Sequence, residues 1–185
     1  MSATTPTTTP TTTPTTSSAN ACGPDGGCAL VAPSGARAGQ PAMVVPGAME
    51  ALQALGGAIA GSGLPARVVA LVNLRVSQIN GCGTCLLGDL KAAREHGITG
   101  EQLITVAGWR ETALFTAPER AALSLAEAVT RVADRSDPVP DDVWNEAARH
   151  YDDTILAALV LAIANINVWN RLNVATGQIA GTYEW

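Results

Sequence analysis

Apolar residues recur at spacings of three and four along most of the chain from about residue 46, which is the pattern of amphipathic helices. In the segment PGAMEALQALGGAIAGSG, the side chains of Met49, Leu52, Leu55 and Ile59 would share one helical face before glycines end the helix. The sequence contains no stretch of strand-like alternation and no glycine-rich phosphate loop. The pattern therefore predicts an all-α fold of about six to seven helices.

Start and stop signals divide the rest of the pattern into further helices. PARVVALVNLRVSQING begins near Pro65 and ends at Gly81, and CGTCLLGDLKAAREHG ends on basic residues and Gly97. Thr116 is followed three residues later by Glu119, so this capping-box pattern predicts the start of the helix in TAPERAALSLAEAVTRVA. Two shorter helices are predicted for TGEQLITVAGWRE and PDDVWNEAARHY.

The last predicted helix, in DDTILAALVLAIANINVWNRLNVATG, is apolar nearly all round before it fills with asparagines. Such a helix lies at the centre of a domain or packs against another subunit. Its longest apolar run, Ile155–Ala164, is much shorter than the ~20 residues that span a bilayer. We therefore expect a soluble protein that does not enter a membrane.

The first part of the chain has a different composition. Residues 1–21 repeat threonine and proline without a charged side chain, and glycine and proline punctuate the sequence to about residue 43. We predict a disordered Thr/Pro- and Gly-rich leader over residues 1–43 and one helical domain over residues 44–185. Cys22 and Cys28 lie in this leader; they could close a disulfide or act as an extra resolving arm, although two mobile free thiols are the simpler interpretation.

Composition and charge narrow the class of protein. Hydrophobic residues make up 47% of the chain but aromatic residues only 4%, so alanine, leucine and valine must build the core, which favours closely packed helices. A net charge of −5 without a basic patch argues against a nucleic-acid partner. Four cysteines are too few for a secreted disulfide scaffold, and the first residues lack the features of a signal peptide, so the cytoplasm is the expected location.

The segment INGCGTCLLGD carries the candidate chemistry. On a helix, Cys82, Cys85 and Asp89 would lie along one stripe, and two cysteines at this spacing can form a disulfide. A helix N-terminus also favours the thiolate form of cysteine. Half of a zinc site is an alternative, but zinc needs four ligands and the other two cysteines lie in the leader; two ordinary buried cysteines are a second alternative. The surrounding sequence favours a redox dithiol.

Three segments, LVNLRVSQINGCGTC, AGWRETALFTAPERAALSLAEAVTRVAD and LAIANINVWNRLNVATG, together resemble the carboxymuconolactone decarboxylase superfamily, and specifically its alkylhydroperoxidase D-like branch. The resemblance covers roughly residues 46–177. It implies an all-helical domain that assembles into trimers or hexamers and reduces peroxide without a cofactor or metal. It further implies that Cys85 is the peroxidatic thiol, which becomes a sulfenic acid, and that Cys82 resolves it into a disulfide. An external dithiol reductant, either lipoyl-bearing or thioredoxin-like, would reopen that disulfide.

The chain departs from this family at its proton relay. Members of the branch carry a histidine four residues after the second cysteine and a glutamate on the preceding helix, where this chain has Asp89 and Ala70. An ionised Asp89 would repel a thiolate, and an alanine side chain cannot transfer a proton. An ionised Asp89 could also accept the thiol proton as a weak base, or a protonated Asp89 could donate a hydrogen bond. His96 lies about 16 Å of helical rise beyond Cys85, which is too far to substitute. For His150, a solvated position at a helix end is the expected role.

Three further sets of residues carry weaker expectations. One set could donate hydrogen bonds to the sulfurs or merely cap and solvate its helix: Arg75, Ser77, Gln78 and Asn80. A second set is expected to pack rather than to contact substrate: Trp109, Trp144 and Trp169. The third set lies near subunit contacts if the family resemblance holds, and it would pair across an interface or form a polar solvent face: Asn165, Asn167, Asn170 and Asn173.

These observations predict a thiol-dependent peroxidase that reduces hydrogen peroxide or organic hydroperoxides through Cys85 and Cys82. One alternative is a thiol-disulfide exchange protein, which needs no proton relay. Another is a non-catalytic helical scaffold, which the replacements Asp89 and Ala70 would suit. The decarboxylase branch fits less well, because a redox dithiol would have no use there.

Overall fold

The computed structural model describes residues 34–182, and all regular elements in that range are helical, as the sequence predicts. Seven α-helices match the seven predicted segments, and one additional helix, α1, precedes them. The helices are α1 (Pro41–Val44), α2 (Ala48–Ala60), α3 (Ala66–Asn80), α4 (Gly83–Glu95), α5 (Gly100–Thr105), α6 (Ala117–Thr130), α7 (Asp141–His150) and α8 (Asp153–Thr176). Short 3-10 helices follow α5 at Val106–Glu111 and α6 at Val132–Asp134.

Residues 41–43, the first three of the one-turn helix α1, fall in the irregular end of the predicted leader, and the fourth, Val44, begins the predicted helical domain. Gln40 caps it, because its side-chain oxygen accepts a hydrogen bond from the backbone N–H of Ala42, and Pro41 suits the first helical position. Gln40 is only 2% exposed, so this turn belongs to the packed domain. The predicted disorder of residues 1–33, and the predicted behaviour of Cys22 and Cys28, lie outside the described residues.

Local caps set the ends of the helices that carry the dithiol. Gly81 ends α3 with a left-handed backbone, at φ 66°, which a glycine adopts without steric cost. The chain can therefore turn at once into α4, whose N-cap is Cys82. The predicted capping box at Thr116 and Glu119 is present at the start of α6, because each side chain accepts a hydrogen bond from the backbone N–H of the other residue.

Helix α8 is the central helix of the domain, and it packs against α2, α3 and α6. Val72, Leu125, Leu159 and Ile163 are among the fully buried side chains of the main core. A second cluster of buried apolar residues lies where α3 meets α4 and the first 3-10 helix; it includes Leu71. The helix that carries the dithiol is thus held between α3 and α8.

By length and composition, α8 could cross a bilayer. Nine of its 24 residues are buried within the helical domain, however, and the core helix of a soluble protein passes the same test. Asparagines at 167, 170 and 173 are among the nine, and they pair with other helices. The packing therefore favours the expected core helix over a membrane span, and the cytoplasmic location stays a prediction.

Two ion pairs join α3 to α6 at equal spacing. Arg67 Nε lies 2.7 Å from a carboxylate oxygen of Glu119, and eight residues later on both helices Arg75 Nε lies 2.7 Å from a carboxylate oxygen of Glu127. Arg110 Nη1 also contacts Glu127, at 2.6 Å. These charged contacts fix the register of α3, and therefore the position at which α4 begins.

Candidate active site

The two cysteines of the candidate site lie at the start of α4 and are joined by a disulfide. Their Cα atoms are 5.3 Å apart, which is within the ordinary range for bridged cysteines. The backbone N–H of Cys85 also donates a hydrogen bond to Cys82 Sγ at 3.3 Å. Cys82 is 2% exposed and Cys85 is 8% exposed, so the pair is almost completely covered.

A cavity of about 350 Å³ opens beside the second cysteine. Its lining is mostly apolar and comes from α2, α4 and α8: Met49, Gln53, Thr84, Cys85, Gly88, Asp89, Ile166 and Trp169. Cys85 therefore borders a space that can hold a small molecule, whereas Cys82 is not among the lining residues.

Asp89 lies one helical turn beyond Cys85 and lines the same cavity. Burial raises the pKa of its carboxyl group from 3.8 to about 6, and a hydrogen bond with Ser77 opposes part of that rise. One carboxyl oxygen, Oδ2, is buried without a hydrogen-bond partner. The pKa of this carboxyl group is therefore close to the usual range of an imidazole, near ~6.5, the group that the family resemblance led us to expect at this position.

Asn173 donates a side-chain hydrogen bond to the dithiol, a role for which the sequence analysis did not single it out. Its Nδ2 atom lies 3.3 Å from Cys85 Sγ, and Gln40 Nε2 lies 3.3 Å from its Oδ1. One feature of the sequence could have indicated this role. Asn167, Asn170 and Asn173 are spaced by three residues on an otherwise apolar helix, which places them along one edge of it.

The α8 asparagines were expected to pair between subunits or to face solvent, and both expectations are wrong for three of the four. Asn167, Asn170 and Asn173 are buried and form hydrogen bonds within the chain. Asn80 Nδ2 donates to Asn167 Oδ1 at 2.9 Å and to Asn170 Oδ1 at 2.8 Å. Asn170 Nδ2 in turn donates to Ser77 Oγ at 3.0 Å, so this network reaches the neighbour of Asp89.

The residues that precede the dithiol do not donate to its sulfurs, contrary to one of the two expectations for them. Arg75 binds Glu127 and donates to Gln78 Oε1 at 3.3 Å. Ser77 and Asn80 belong to the asparagine network. Their role is to fasten the end of α3 to α6 and α8, more than the simple capping that was the other expectation.

Neither histidine lines the cavity beside Cys85. His96 is exposed at the C-terminal cap of α4, and His150 lies at the end of α7 beside Glu146, as expected. Ala70 is buried on α3 and borders a separate cavity of about 250 Å³. Among the described residues, no cluster of three or more histidine, cysteine, aspartate or glutamate side chains could hold a metal ion.

Two of the tryptophans behave as packing or surface residues. Trp109 is buried, donates from Nε1 to Glu127 Oε1 at 3.1 Å, and lies beneath the guanidinium of Arg110. Trp144 is 43% exposed. Trp169 packs on the core, as expected, and also forms part of the cavity wall beside Cys85.

The part of the chain that contains the dithiol is similar in sequence to a known protein family. The family model described as carboxymuconolactone decarboxylase matches residues 46–128, which include the dithiol. The uncharacterized protein YdfG of Bacillus subtilis (strain 168) is 36% identical over 112 residues, which are 60% of this chain and 75% of that protein. This chain belongs to the carboxymuconolactone decarboxylase family. A second relative, the uncharacterized protein YnjA of Escherichia coli (strain K12), is 34% identical over 110 residues, which are 58% of each chain.

Two solved structures resemble this protein, one at a level of identity that supports a branch of the family and one in fold alone. A protein of unknown function from Agrobacterium tumefaciens, proposed to be the antioxidant defence protein AhpD, superposes with a TM-score of 0.73 at 32% identity. That match covers 80% of this chain and 99% of the other, and it supports the AhpD-like branch. A cysteine-to-alanine variant of the debrominase Bmp8, in complex with 2,3,4-tribromopyrrole, has a TM-score of 0.66 at 19% identity over 76% of this chain and 74% of its own. The second likeness shows the fold alone, and it shows that this fold serves more than one chemistry.

Proposed function

We propose that this protein is a thiol-dependent peroxidase that reduces hydrogen peroxide or small organic hydroperoxides through Cys85, with Cys82 as the resolving thiol. One observation carries the proposal: the second cysteine of a disulfide-forming pair borders an apolar cavity that also holds a carboxyl group with a pKa of about 6. The relative proposed to be the antioxidant protein AhpD supports the same chemistry.

In the first step of the proposed reaction, the Cys85 thiolate attacks one oxygen of a hydroperoxide, ROOH. A sulfur–oxygen bond forms, the O–O bond breaks, and RO⁻ leaves and takes up a proton to become ROH. Cys85 is thereby oxidised to a sulfenic acid and the peroxide is reduced to an alcohol or water. The apolar wall formed by Met49, Ile166 and Trp169 suits the organic part of such a substrate.

Asp89 is the proposed proton carrier for this step. A free thiol with an ordinary pKa near ~8.5 is only a few per cent ionised at neutral pH and needs a base. A carboxylate of ordinary pKa would be a poor base, but burial brings Asp89 to about 6, close to the operating pH at which a general base works best. Asp89 would accept the thiol proton and return it to the departing RO⁻.

In the second step, the thiol of Cys82 attacks the sulfenic sulfur of Cys85, a disulfide forms, and water leaves. An external dithiol then reduces the disulfide and is itself oxidised. Because Cys82 is more deeply covered and only Cys85 borders the cavity, a slender dithiol such as a lipoyl arm fits this access better than the surface of a thioredoxin-like protein.

Self-association is a further part of the proposal, with a second copy of this chain as the partner. The support is a line of exposed, mainly small and apolar residues along the outer side of α8, at alternating spacings of three and four: Ala157, Leu161, Ala164, Val168, Arg171 and Ala175. Such a line is typical of helices that pack against another helix. Sedimentation of the Leu161→Glu variant tests it: a shift to monomer is expected, and a parent protein that sediments as a monomer contradicts it.

The peroxidase proposal is tested by peroxide consumption in the presence of dihydrolipoamide. The parent and the Cys85→Ser variant are compared, and the variant is expected to be inactive. In the absence of dihydrolipoamide, Cys82→Ser should consume about one equivalent of peroxide and keep a sulfenic acid at Cys85, because the Cys82 thiol that would form the disulfide is missing. A Cys85→Ser variant that keeps the parental rate would refute the assignment. Rapid thiol-disulfide exchange without peroxide consumption would instead identify an exchange protein. If the protein showed neither reaction, the non-catalytic scaffold would be the remaining interpretation.

A further inference from the structure

Two buried amide side chains form a chain of hydrogen bonds that ends on the sulfur of Cys85. Gln40, immediately ahead of α1, donates from Nε2 to Asn173 Oδ1, and Asn173, on α8, donates from Nδ2 to Cys85 Sγ; both distances are 3.3 Å. Gln40 and Asn173 are 2% and 3% exposed, so water does not compete effectively for these bonds. The two amides are 133 positions apart in the sequence, and only the fold brings them together.

The donor-to-acceptor direction of these hydrogen bonds is fixed at the Gln40 end by the backbone N–H of Ala42. The N–H of Ala42 can only donate, so the Gln40 atom that faces it must be the oxygen Oε1. The nitrogen Nε2 of Gln40 then faces Asn173, and because an amide NH₂ can only donate, the facing atom of Asn173 must be Oδ1. The remaining Asn173 atom, Nδ2, is thereby turned towards Cys85 with its N–H groups.

The position of Gln40 is itself held by contacts with the C-terminal end of α8. The backbone N–H of Arg37 donates to the carbonyl oxygen of Thr176 at 2.8 Å, and Gln178 Nε2 donates to the carbonyl oxygen of Ala38 at 2.9 Å. Thr84, in the first turn of α4, donates to the carbonyl oxygen of Gln178 at 3.0 Å. The segment before α1 is therefore tied to the helix that carries Asn173 and, through Gln178, to the helix that carries the dithiol.

We propose that Asn173 stabilises the thiolate of Cys85 by a direct hydrogen bond, and that Gln40 is the positioning residue that keeps the Asn173 donor turned towards the sulfur. The inference rests on the proposed function, in that it assigns the groups that activate the same thiol. A neutral amide donor favours a negatively charged sulfur without adding a group that titrates. This sequence lacks the histidine and glutamate of the family relay. In the proposal, Asn173 is the group that stabilises the thiolate instead.

Few titratable groups lie beside Cys85. Cys82 and Asp89 are the ionisable side chains of α4 and its cap in contact with this region, and the residues that α2 and α8 contribute to the cavity wall carry no ionisable side chain: Met49, Gln53, Ile166 and Trp169. The effect of Asn173 on the thiol can therefore be measured against a small and known set of neighbours.

The test measures the pKa of the Cys85 thiol from its alkylation rate by iodoacetamide as a function of pH. The full chain carries Cys22→Ser, Cys28→Ser and Cys82→Ser, so that Cys85 is the one thiol that reacts. Asn173→Leu is expected to raise the thiol pKa by about one pH unit, since a hydrogen bond to a charged group is lost. Gln40→Met is expected to raise it by a smaller amount, because Asn173 remains but can turn away.

The decisive comparison is the double variant. If Gln40 acts only through Asn173, then Gln40→Met should cause no further rise of the thiol pKa in the Asn173→Leu background. Asn167→Leu is the matched control, since it removes another buried asparagine of α8 and is expected to leave the thiol pKa unchanged. Gln40→Met tests the proposal on its own if Asn173→Leu does not fold, because the thiol pKa must rise in that variant as well.

An unchanged thiol pKa in Asn173→Leu, or in Gln40→Met if that is the variant that folds, overturns the inference. Equal rises from Gln40→Met in both backgrounds overturn the role of Gln40. The readout does not involve peroxide, so failure here and failure of the proposed function are separate results. A thiol pKa that depends on Asn173 in a protein that does not consume peroxide would sustain this inference and refute the peroxidase.

Discussion

Asp89 and Cys85 lie one helical turn apart on α4 and line the same cavity, where the carboxyl group is buried and one of its oxygens has no hydrogen-bond partner. A carboxylate in this position is costly to the folded protein. The same burial gives it a pKa suited to proton transfer. The buried carboxylate of Asp89 therefore lowers the stability of the folded protein while it favours the proposed activity. Both effects can be measured in the same variant.

The first prediction concerns the substitution Asp89→Asn. The pKa of Asp89 is raised in the folded protein, from 3.8 to about 6, so between these pH values the folded protein binds more protons than the unfolded chain. The stability that the group contributes is present below pH 4 and is lost as the pH rises through 6. The difference of about two pH units corresponds to about 3 kcal/mol. Asp89→Asn should therefore stabilise the protein at pH 8 by up to about 3 kcal/mol, and by nothing at pH 4.

Urea unfolding of the disulfide form at pH 4 and pH 8 measures this effect, and Asp137→Asn, at an exposed aspartate before α7, is the control. The same Asp89→Asn variant should lose about a hundredfold in peroxide turnover at pH 7, which is a usual contribution of a general base. Equal stability changes at the two pH values would show that Asp89 is not destabilised by its charge.

The second prediction restores the family relay through Asp89→His together with Ala70→Glu. A histidine that accepts the thiol proton becomes a cation, and a cation stabilises the neighbouring thiolate, whereas an aspartate that accepts the proton becomes neutral. The cavity of about 250 Å³ beside Ala70 provides space for a longer side chain. We expect the double variant to raise kcat/KM for hydrogen peroxide by about tenfold.

The control for this experiment is Ala70→Glu alone. Ala70 shares its cavity with His96, but neither histidine lines the cavity beside Cys85, so without a histidine at position 89 the new carboxyl group should not raise turnover. If the double variant is no faster than the parent, then Asp89 with its shifted pKa already performs the proton transfer as well as the family relay does.

The helices were predictable from the sequence because each has its own apolar face and its own caps, such as Gly81 and the pair Thr116 and Glu119. Helix α1 was missed because a single turn shows no periodicity. Its cap, Gln40, is also an unusual N-cap residue, and it is held in place by contacts with α8. Short elements that depend on distant contacts lack a local signal.

The residues of the candidate site also differ in whether the sequence could predict that they lie together. Cys82, Cys85 and Asp89 are neighbours on one helix, so their spacing placed them together. Asn173 lies 88 residues after Cys85, and nothing local to either residue indicates the hydrogen bond between them. The burial of Asp89 also depends on the packing of α4 against neighbouring helices. The sequence alone therefore predicted a weak carboxylate base, where the fold provides one with a pKa of about 6.

The third prediction concerns the cavity wall at Trp169. Because this ring and other apolar side chains border the space beside Cys85, an organic hydroperoxide would bury its hydrocarbon group there. Trp169→Ala should lower kcat/KM for cumene hydroperoxide by about tenfold, since about 1.4 kcal/mol of apolar contact is removed. Turnover of hydrogen peroxide, which has no apolar group, should change little.

Trp144→Ala is the matched control, because Trp144 lies on α7, is 43% exposed and does not line the cavity. It should leave the ratio of the two substrates unchanged. An equal loss for both peroxides in Trp169→Ala would indicate damage to the dithiol region rather than loss of a substrate contact.

The fourth prediction concerns Glu127, whose carboxylate joins α6 to α3 through Arg75 and also binds Arg110 and the Nε1 atom of Trp109. Burial alone would raise the pKa of Glu127, but hydrogen bonds from Arg110, Arg75 and Trp109 outweigh burial and lower it. Glu127→Gln leaves these arginines without their counter-charge. Removal of one member of a largely buried ion pair should lower the free energy of unfolding at pH 7 by about 3 kcal/mol.

The pH dependence of that loss distinguishes it from a simple packing defect. A carboxyl group with a lowered pKa contributes stability above the pKa that it has in the unfolded chain, and this contribution is lost as the pH falls through the lower, folded value. The deficit of Glu127→Gln should therefore be complete at pH 7 and shrink in strong acid, as measured by urea unfolding. Glu146→Gln, at the exposed pair with Arg149, should cost less than about 1 kcal/mol at either pH. A deficit of Glu127→Gln that stays constant with pH would mean that the shape of the side chain, and not its charge, holds α3 against α6.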